Sequence, residues 1–292
     1  MTGNPRRGVV LVTVLWSIAL LSALAMAASA TFRGFAGIMA VDRDRLQADA
    51  LLTAGLEGAA ARIATAPDRP LADGETAVAL STGVVRARFS DEGGRIDIGK
   101  APAEVLASLL RSVGAPPAAA NDVAQRIVDL RNPAGAPAQN VAARKPAQPA
   151  GKPATDPPFT DVLQLAQVPG MSPQWLGAMA GLVTVFGSET VNPLTAPPRV
   201  LAALPGVDGG RLESFLALRR GSPADAERLI AAFGPAQRFL EAKSQRVAAV
   251  ELTATLADGY AAAARAVIVA LPQDSQPYRV LMWKPLPSSM VR

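Results

Sequence analysis

Two residue types are missing altogether: the 292 residues include no histidine and no cysteine. Their absence excludes Ser-His-Asp and Cys-His catalysis, haem held by His, and zinc or iron–sulfur sites built on Cys or His. It also excludes disulfides in any compartment. Aromatic residues make up 4% of the chain, too few for a base-stacking platform. Any catalysis would fall to carboxylates, Lys, Tyr, Ser and Thr. Half the residues are nevertheless hydrophobic, mostly Ala, Val and Leu, and 24 Gly and 25 Pro point to long irregular connections. The net charge of +5 permits an anionic partner without specifying one. The length allows two compact units or one domain with a large insertion.

From Gly8 to Phe32 the chain carries no charge and is almost wholly apolar: GVVLVTVLWSIALLSALAMAASATF. As a helix, Val9–Phe32 would be about 36 Å long, against the ~30 Å core of a bilayer. Arg6 and Arg7 precede it, so the positive-inside rule leaves residues 1–7 in the cytoplasm and sends the chain after Arg33 across the membrane. Three readings fit. One is a secretory signal peptide cut after Ala30 in Ala28-Ser29-Ala30, although its apolar core exceeds the usual length. Another is a plain uncleaved anchor. The third rests on Arg6-Arg7-Gly8-Val9-Val10-Leu11-Val12.

Residues 33–66 contain no proline and place apolar residues at helical spacing, Leu46, Ala50 and Ala54 beside Leu52, Leu56, Ala60 and Ile63. This predicts a stem helix that continues the apolar run and ends at Pro67. Gly34, Gly37, Gly55 and Gly58 weaken it. Alternating runs at Glu75–Leu80 and Val84–Ser90, split by Ser81-Thr82-Gly83, predict a hairpin, with a third short strand at Gly94–Ile98. Val247–Ala257, Ala263–Leu271 and Tyr278–Trp283 predict three more strands. The economical arrangement is one antiparallel sheet from 67–98 and 244–292 packed on the stem, with an all-α domain, 99–243, inserted between its halves.

Within the insertion, Ile96-Asp97-Ile98-Gly99-Lys100-Ala101-Pro102 is repeated as Val191-Asn192-Pro193-Leu194-Thr195-Ala196-Pro197. The turns Val168-Pro169-Gly170-Met171 and Leu204-Pro205-Gly206-Val207 are similar to each other and resemble helix-hairpin-helix modules, which in some proteins aim backbone amides at phosphate. That supports a rival function, a membrane-tethered DNA receptor for uptake. Asp208 beside the second turn, scattered basic residues and scarce aromatics weigh against it, so no nucleic acid is expected. Asn132–Pro158, rich in Pro and Ala, reads as a mobile, solvated loop carrying Arg144, Lys145 and Lys152. Asp91, Glu92 and Asp97 cluster around a turn. No nucleophile or cofactor motif accompanies them, or Lys243 and Tyr260, and the expectation is turn and capping roles in a protein that is not an enzyme.

The junction at Gly8 resembles a type IV prepilin leader, and the order of the remaining parts resembles the minor pseudopilin K family of bacterial type II secretion systems. The residues that carry the likeness are Ala50-Leu51-Leu52-Thr53-Ala54-Gly55-Leu56-Glu57, Asp91-Glu92-Gly93-Gly94-Arg95-Ile96-Asp97-Ile98, Phe159-Thr160-Asp161-Val162-Leu163-Gln164-Leu165, Val168-Pro169-Gly170-Met171 and Val191-Asn192-Pro193-Leu194-Thr195-Ala196-Pro197. The resemblance implies an α+β pilin-like fold with a long N-terminal transmembrane helix. It implies residues 1–8 as a leader, cleavage by a prepilin peptidase between Gly8 and Val9, and N-methylation of Val9. The mature chain would be single-pass in the inner membrane lipid, with its C-terminal domain in the periplasm. Its place would be the pseudopilus tip, with other minor pseudopilins and the major pseudopilin as partners, helping to initiate assembly for export of folded proteins. Thr13 stands where such proteins usually carry Glu. A carboxylate there would need a neighbour's α-amino cation, which a tip subunit lacks. Some relatives hold calcium, but Leu130-Arg131-Asn132-Pro133-Ala134-Gly135 after Asp129 offers almost no carboxylates, so no metal or other cofactor is carried over.

Overall fold

The computed structural model describes residues 6–65, 71, 73–131, 159–221, 226–243, 246–271 and 274–287, without the side chains of 6–9, 11, 28 and 30–38. The leader residues 1–5, Pro67 and the loop 132–158 lie outside the described residues.

One unbroken helix, α1 (Arg6–Ala64), runs through both the apolar run and the stem. Its 59 residues would span about 88 Å at 1.5 Å per residue. It packs on a five-stranded antiparallel sheet of β1 (Gly74–Leu80), β2 (Gly83–Asp91), β5 (Val247–Leu256), β6 (Ala261–Ala270) and β7 (Tyr278–Leu286), in that order. Between β2 and β5 the chain forms β3 (Ile96–Asp97), α2 (Ala103–Ser112), α3 (Pro117–Arg131), α4 (Pro173–Met179), β4 (Val183–Thr184), α5 (Pro198–Ala202), α6 (Gly209–Gly221) and α7 (Ala226–Ala231). The layout is a mixed helix and antiparallel-sheet fold in which a helical unit interrupts the sheet.

Two cores correspond to the two units. Leu51, Leu52, Leu56, Ala59 and Ile63 of α1 meet Val85, Ala87, Leu252, Ala264 and Ile268 of the sheet. The small residues set the spacing: a Cβ at Gly55 would lie 2.5 Å from Val85 Cγ2, and one at Gly58 2.9 Å from Val78 Cγ2. The glycines that cost the helix propensity are therefore those that let the sheet approach. The second core gathers Ile96, Ile98, Leu106, Leu110, Ile127, Leu165, Leu201, Phe215 and Phe233.

Two strand expectations need correction. Residues 92–98 do not continue the main sheet: after Asp91 the chain enters a 3-10 turn, Glu92–Gly94, and β3 instead pairs in parallel with β4. The physical reason is burial, because Ile96 and Ile98 belong to the core of the insertion. The insertion is accordingly not all-α, and the middle of the chain holds a strand signal, Val183–Thr184, too short to read by alternation. The hairpin turn is also tighter than Ser81-Thr82-Gly83, since Gly83 already pairs with Leu80.

The sequence repeat is a structural repeat. Asp97 Oδ1 accepts from Gly99 N at 2.7 Å, and Asn192 Oδ1 from Leu194 N at 3.1 Å. Ala101 N and Ala196 N close the turns on the carbonyls of Asp97 and Asn192. Pro102 and Pro197 then start α2 and α5. An arginine from the following long helix clasps each turn: Arg131 donates to Ile98 O and Ala101 O, and Arg219 to Pro193 O and Ala196 O. Burial lowers the pKa of both guanidiniums from the usual arginine value.

The repeat makes a prediction about pH. Burial raises the Asp97 carboxyl above the ordinary aspartate value, against hydrogen bonding from Gly99 and the Lys100 charge. A raised folded pKa means that the unfolded chain loses its proton first as pH rises, so this group lowers stability between its unfolded and folded values and adds no slope above them. Asn already occupies the equivalent place at 192. Asp97→Asn is expected to fold, to be no less stable than the parent at pH 7, and to lose that advantage as the pH falls toward 4. Urea midpoints at both pH values check this, and an advantage independent of pH would refute the assignment.

Candidate assembly surfaces and the joint between the two units

The motif Asp91-Glu92-Gly93-Gly94-Arg95 forms the joint between sheet and insertion. Asp91, at the end of β2, is buried, and its carboxylate is fully engaged. Oδ1 accepts from Gly93 N at 2.9 Å, and Oδ2 accepts from Thr195 Oγ1 at 2.7 Å and Asn192 Nδ2 at 3.3 Å. Burial raises its pKa, opposed by those three bonds. Asn192 N donates to Gly93 O at 2.8 Å, so the second repeat is stitched to the joint by backbone as well.

Glu92 is 2% exposed and is the carboxylate between two guanidiniums. Its Oε1 accepts from Arg95 Nη1 and lies 3.3 Å from Nη2 of Arg265 on β6. Arg265 also belongs to a charged row across the solvent face of the sheet. The register aligns Glu75, Arg88, Glu251, Arg265 and Lys284, one from each strand. Arg88 Nε pairs with Glu75 Oε2 at 3.2 Å, and Lys284 Nζ lies 3.5 Å from Asp161 Oδ2 of the insertion. The row fixes strand register, since a one-residue slip would turn every charge to the α1 face. Its Arg265 and Lys284 reach out to the insertion.

The three carboxylates each have structural partners. Asp91 caps the 3-10 turn, Asp97 closes a tight turn, and Glu92 holds two arginines. Lys243 is exposed, and Tyr260 lies at the rim of a groove described below. Asp129 accepts from Gln125 Nε2, and among the described residues no three carboxylates converge on a metal-sized site.

The processing residues fall at the start of α1. Gly8 and Val9 have helical backbone, and Thr13 Oγ1 donates to Val10 O at 3.0 Å. From Val10 to Met26 the described apolar side chains stand away from the rest of the molecule, with Trp16 73% and Met26 75% exposed. A helix apolar on all sides needs a nonaqueous or protein environment. Among the described residues no helix is long and apolar enough to cross a membrane.

In each of the two Pro-Gly turns an arginine holds a backbone carbonyl. Gly170 and Gly206 adopt φ of +86° and +76°, as the third position of such turns requires. Arg126 Nη1 donates to Pro169 O at 2.7 Å and Arg211 Nη1 to Gly206 O at 3.0 Å. Asp208 Oδ1 accepts from Arg211 N at 2.8 Å, so a carboxylate of the chain itself sits where a phosphate would dock at α6. The arginines nearest the turns thus brace the fold, which weighs against the DNA reading.

A second surface is a groove of about 570 Å³ between α1 and the β7 edge of the sheet. Val41, Arg45, Asp49 and Leu52 of α1 form its wall, and Ala262, Ala264, Trp283 and Pro285 its floor. Sequence reasoning singled out Tyr260 only as an unsupported catalyst and gave no role to Trp283. The signal present was β7 itself, where Val280, Leu281 and Trp283 are exposed on an open edge. Tyr278 OH ties that edge to Glu57 of α1 at 2.7 Å, and burial, then the Glu57 bond, pushes its pKa up to about 12.

Comparison with known proteins fits this geometry. Residues 87–188 match the family model for protein K of the type II secretion system, a stretch that includes the joint, β3, α2, α3, α4 and β4. No curated protein matches the chain by sequence. In structure it is similar to a chain of the crystal structure of the GspK-GspI-GspJ complex from the enterotoxigenic Escherichia coli type 2 secretion system. The TM-score is 0.63 at 15% identity, over 85% of this chain and 99% of that one. Over residues 87–188 the chain is similar to protein K of the type II secretion system, and it shares its fold with a chain of the GspK-GspI-GspJ complex.

Proposed function

We propose that the chain is a membrane-anchored assembly subunit, a minor pseudopilin at the tip of a periplasmic pseudopilus that helps to initiate its assembly for export of folded proteins. It works by association with other minor pseudopilins and the major pseudopilin, not by catalysis. The observation that carries the reading is the unbroken α1, in which an apolar run without covering residues continues directly into the helix that holds the sheet. Such a helix serves as anchor at one end and scaffold at the other. Thr13 supports a terminal place. Its hydroxyl is satisfied inside its own helix, so it does not require the cation that a buried carboxylate would demand from a neighbour. The helical unit, tied to the sheet through Asp91 and Glu92, supplies the bulk expected of a cap.

The expected mature chain begins with N-methylated Val9, after a prepilin peptidase has cut behind Gly8. Mass spectrometry of protein isolated from inner membranes checks this. A mature chain that begins at Thr31 and is recovered from the soluble periplasm would overturn the anchor and the pseudopilin reading together.

A further inference from the structure

The chain enters the insertion from the end of β2 and returns from it into β5. These strands are neighbours, with Asp91 opposite Ala248. Asp91 grips the insertion at that line, through Thr195 and Asn192. The returning chain belongs to the insertion as far as Glu241, whose amide donates to Val191 O at 3.1 Å. It belongs to the sheet from Arg246, whose carbonyl accepts from Ala270 N at 2.9 Å. Both crossings therefore share one line, and the cores on its two sides have no residue in common. Units that meet through a polar seam, without a continuous core, are free to move relative to one another.

Away from that line, each flank of the sheet offers the insertion an opposite charge. On the β7 side, two strands or roughly 10 Å from β5, Lys284 Nζ lies 3.5 Å from Asp161 Oδ2. Asp161 is held in place to receive it. Its Oδ1 accepts from Leu163 N at 2.9 Å, and its amide donates to Gln164 Oε1, which completes a capping box on the 3-10 helix Val162–Gln167. Both partners of the pair stay largely in solvent, so it holds only lightly. On the β1 side, Arg219 at the end of α6 feels the charge of exposed Asp73. A cleft of about 510 Å³, lined by Asp73, Glu75, Arg88 and Arg95 among others, opens on this side. The insertion thus leans on β7 and has room beside β1.

We propose that the insertion rocks on the β2–β5 line between two positions. In the first, Asp161 and Lys284 latch it to the β7 flank. In the second, the latch is released and the basic end of α6, Arg219 and Arg220, settles toward Asp73 over the cleft. Rocking changes the angle between insertion and α1 while both cores and the Asp91 grip stay intact. The device belongs to the fold and does not depend on what the chain assembles with.

The chain has no cysteine, so introduced cysteines take spin labels uniquely. One label goes on Thr255 of β5 and the other on Leu163 beside the latch or on Gly221 at the end of α6, in the full chain in detergent. All three sites are exposed, and a Cβ at Gly221 meets nothing within 4 Å. Double electron–electron resonance measures both distances. Lys284→Glu turns the latch repulsive without touching the Asp161 cap. It is expected to enlarge a second population in both pairs at least about threefold, with 255–163 longer and 255–221 shorter. Asp161→Asn keeps the cap and should act in the same direction more weakly. Lys284→Arg should match the parent, and Asp73→Lys added to Lys284→Glu should shrink the second population again. Unchanged distances in both Lys284→Glu and Asp161→Asn would overturn the device. So would lengthening of both pairs, which would mean that the insertion detaches rather than rocks.

Discussion

A Glu92→Gln protein is expected to unfold at a temperature roughly 10 °C below its parent. Glu92 is buried against two guanidiniums, Arg95 and Arg265, whose side chains are 15% and 30% exposed. Neutralising the carboxylate keeps its shape but strands two desolvated cations facing each other, and breaking a buried pair in this way costs about 3–5 kcal/mol. The loss should also be local in its consequences. Arg265 anchors the joint to β6 and the row of charges to the joint, so limited proteolysis should reach residues 92–99 more readily in the variant. Removing an exposed member of the same row, Arg88→Gln, should cost no more than about 1 kcal/mol, because its partner Glu75 is in solvent. Circular dichroism melts of the three proteins make the comparison. Equal effects at 92 and 88 would mean that the buried carboxylate does not hold the joint.

The joint also shows how far the sequence could be read. The motif around Asp91 and the repeat that begins at Ile96 and Val191 were both visible as strings, because Pro, Gly and Asx residues mark turns locally. Their meeting was not. Nothing in the string places Thr195 and Asn192 against Asp91, or Arg265 against Glu92, across sequence separations of more than 100 residues. The stem and the sheet strands were legible from period alone, since their partners impose alternation of 3.6 or 2 on the chain. The short strand at Ile96–Asp97 was legible but its partner was not, because Val183–Thr184 is two residues long and carries no period, and the choice between sheets was decided by which core buries Ile96 and Ile98. The arginine clasps at Arg131 and Arg219 were invisible for a different reason. Each lies at the end of a helix whose polar face reads as solvent-exposed, and only the fold turns that end back onto a proline-capped turn. The groove beside β7 had a sequence signal, an edge strand with exposed Val280, Leu281 and Trp283, but the register shift that leaves Leu281 unpaired between Val280 and Met282 breaks the alternation that would have marked its two faces.

The seam between α1 and the sheet yields an expected result that runs against helix propensity. Gly55 lies mid-helix, where exchange for Ala ordinarily stabilises by about 1 kcal/mol. Here the new methyl would stand 2.5 Å from Val85 Cγ2 and 3.0 Å from Leu252 Cδ2. Val85 is fully buried and β-branched, so it has no rotamer into which it can retreat. Overpacking of that kind costs about 1–3 kcal/mol and outweighs the propensity gain. Gly55→Ala is therefore expected to destabilise, and Gly55→Leu to destabilise further, by about 3 kcal/mol or more, through displacement of α1 from β2 and β5. Gly58→Ala meets a single side-chain atom of Val78 at 2.9 Å and should be milder. A double-mutant cycle separates this clash from any other effect of the alanine. Val85→Ala removes the obstructing methyls, so Gly55→Ala combined with Val85→Ala should cost less than the sum of the two changes alone, with a coupling of about 0.5–3 kcal/mol. Urea denaturation of the four proteins measures it. Strict additivity, or a stabilising Gly55→Ala, would show that α1 does not approach the sheet at this glycine. The same displacement would tilt the apolar run of α1 relative to the sheet, so the coupled pair also tests whether the angle at which the stem leaves the sheet matters. If it does, Gly55→Leu should lose association with pilin-like partners at temperatures where its sheet remains folded, and the compensated double variant should regain it.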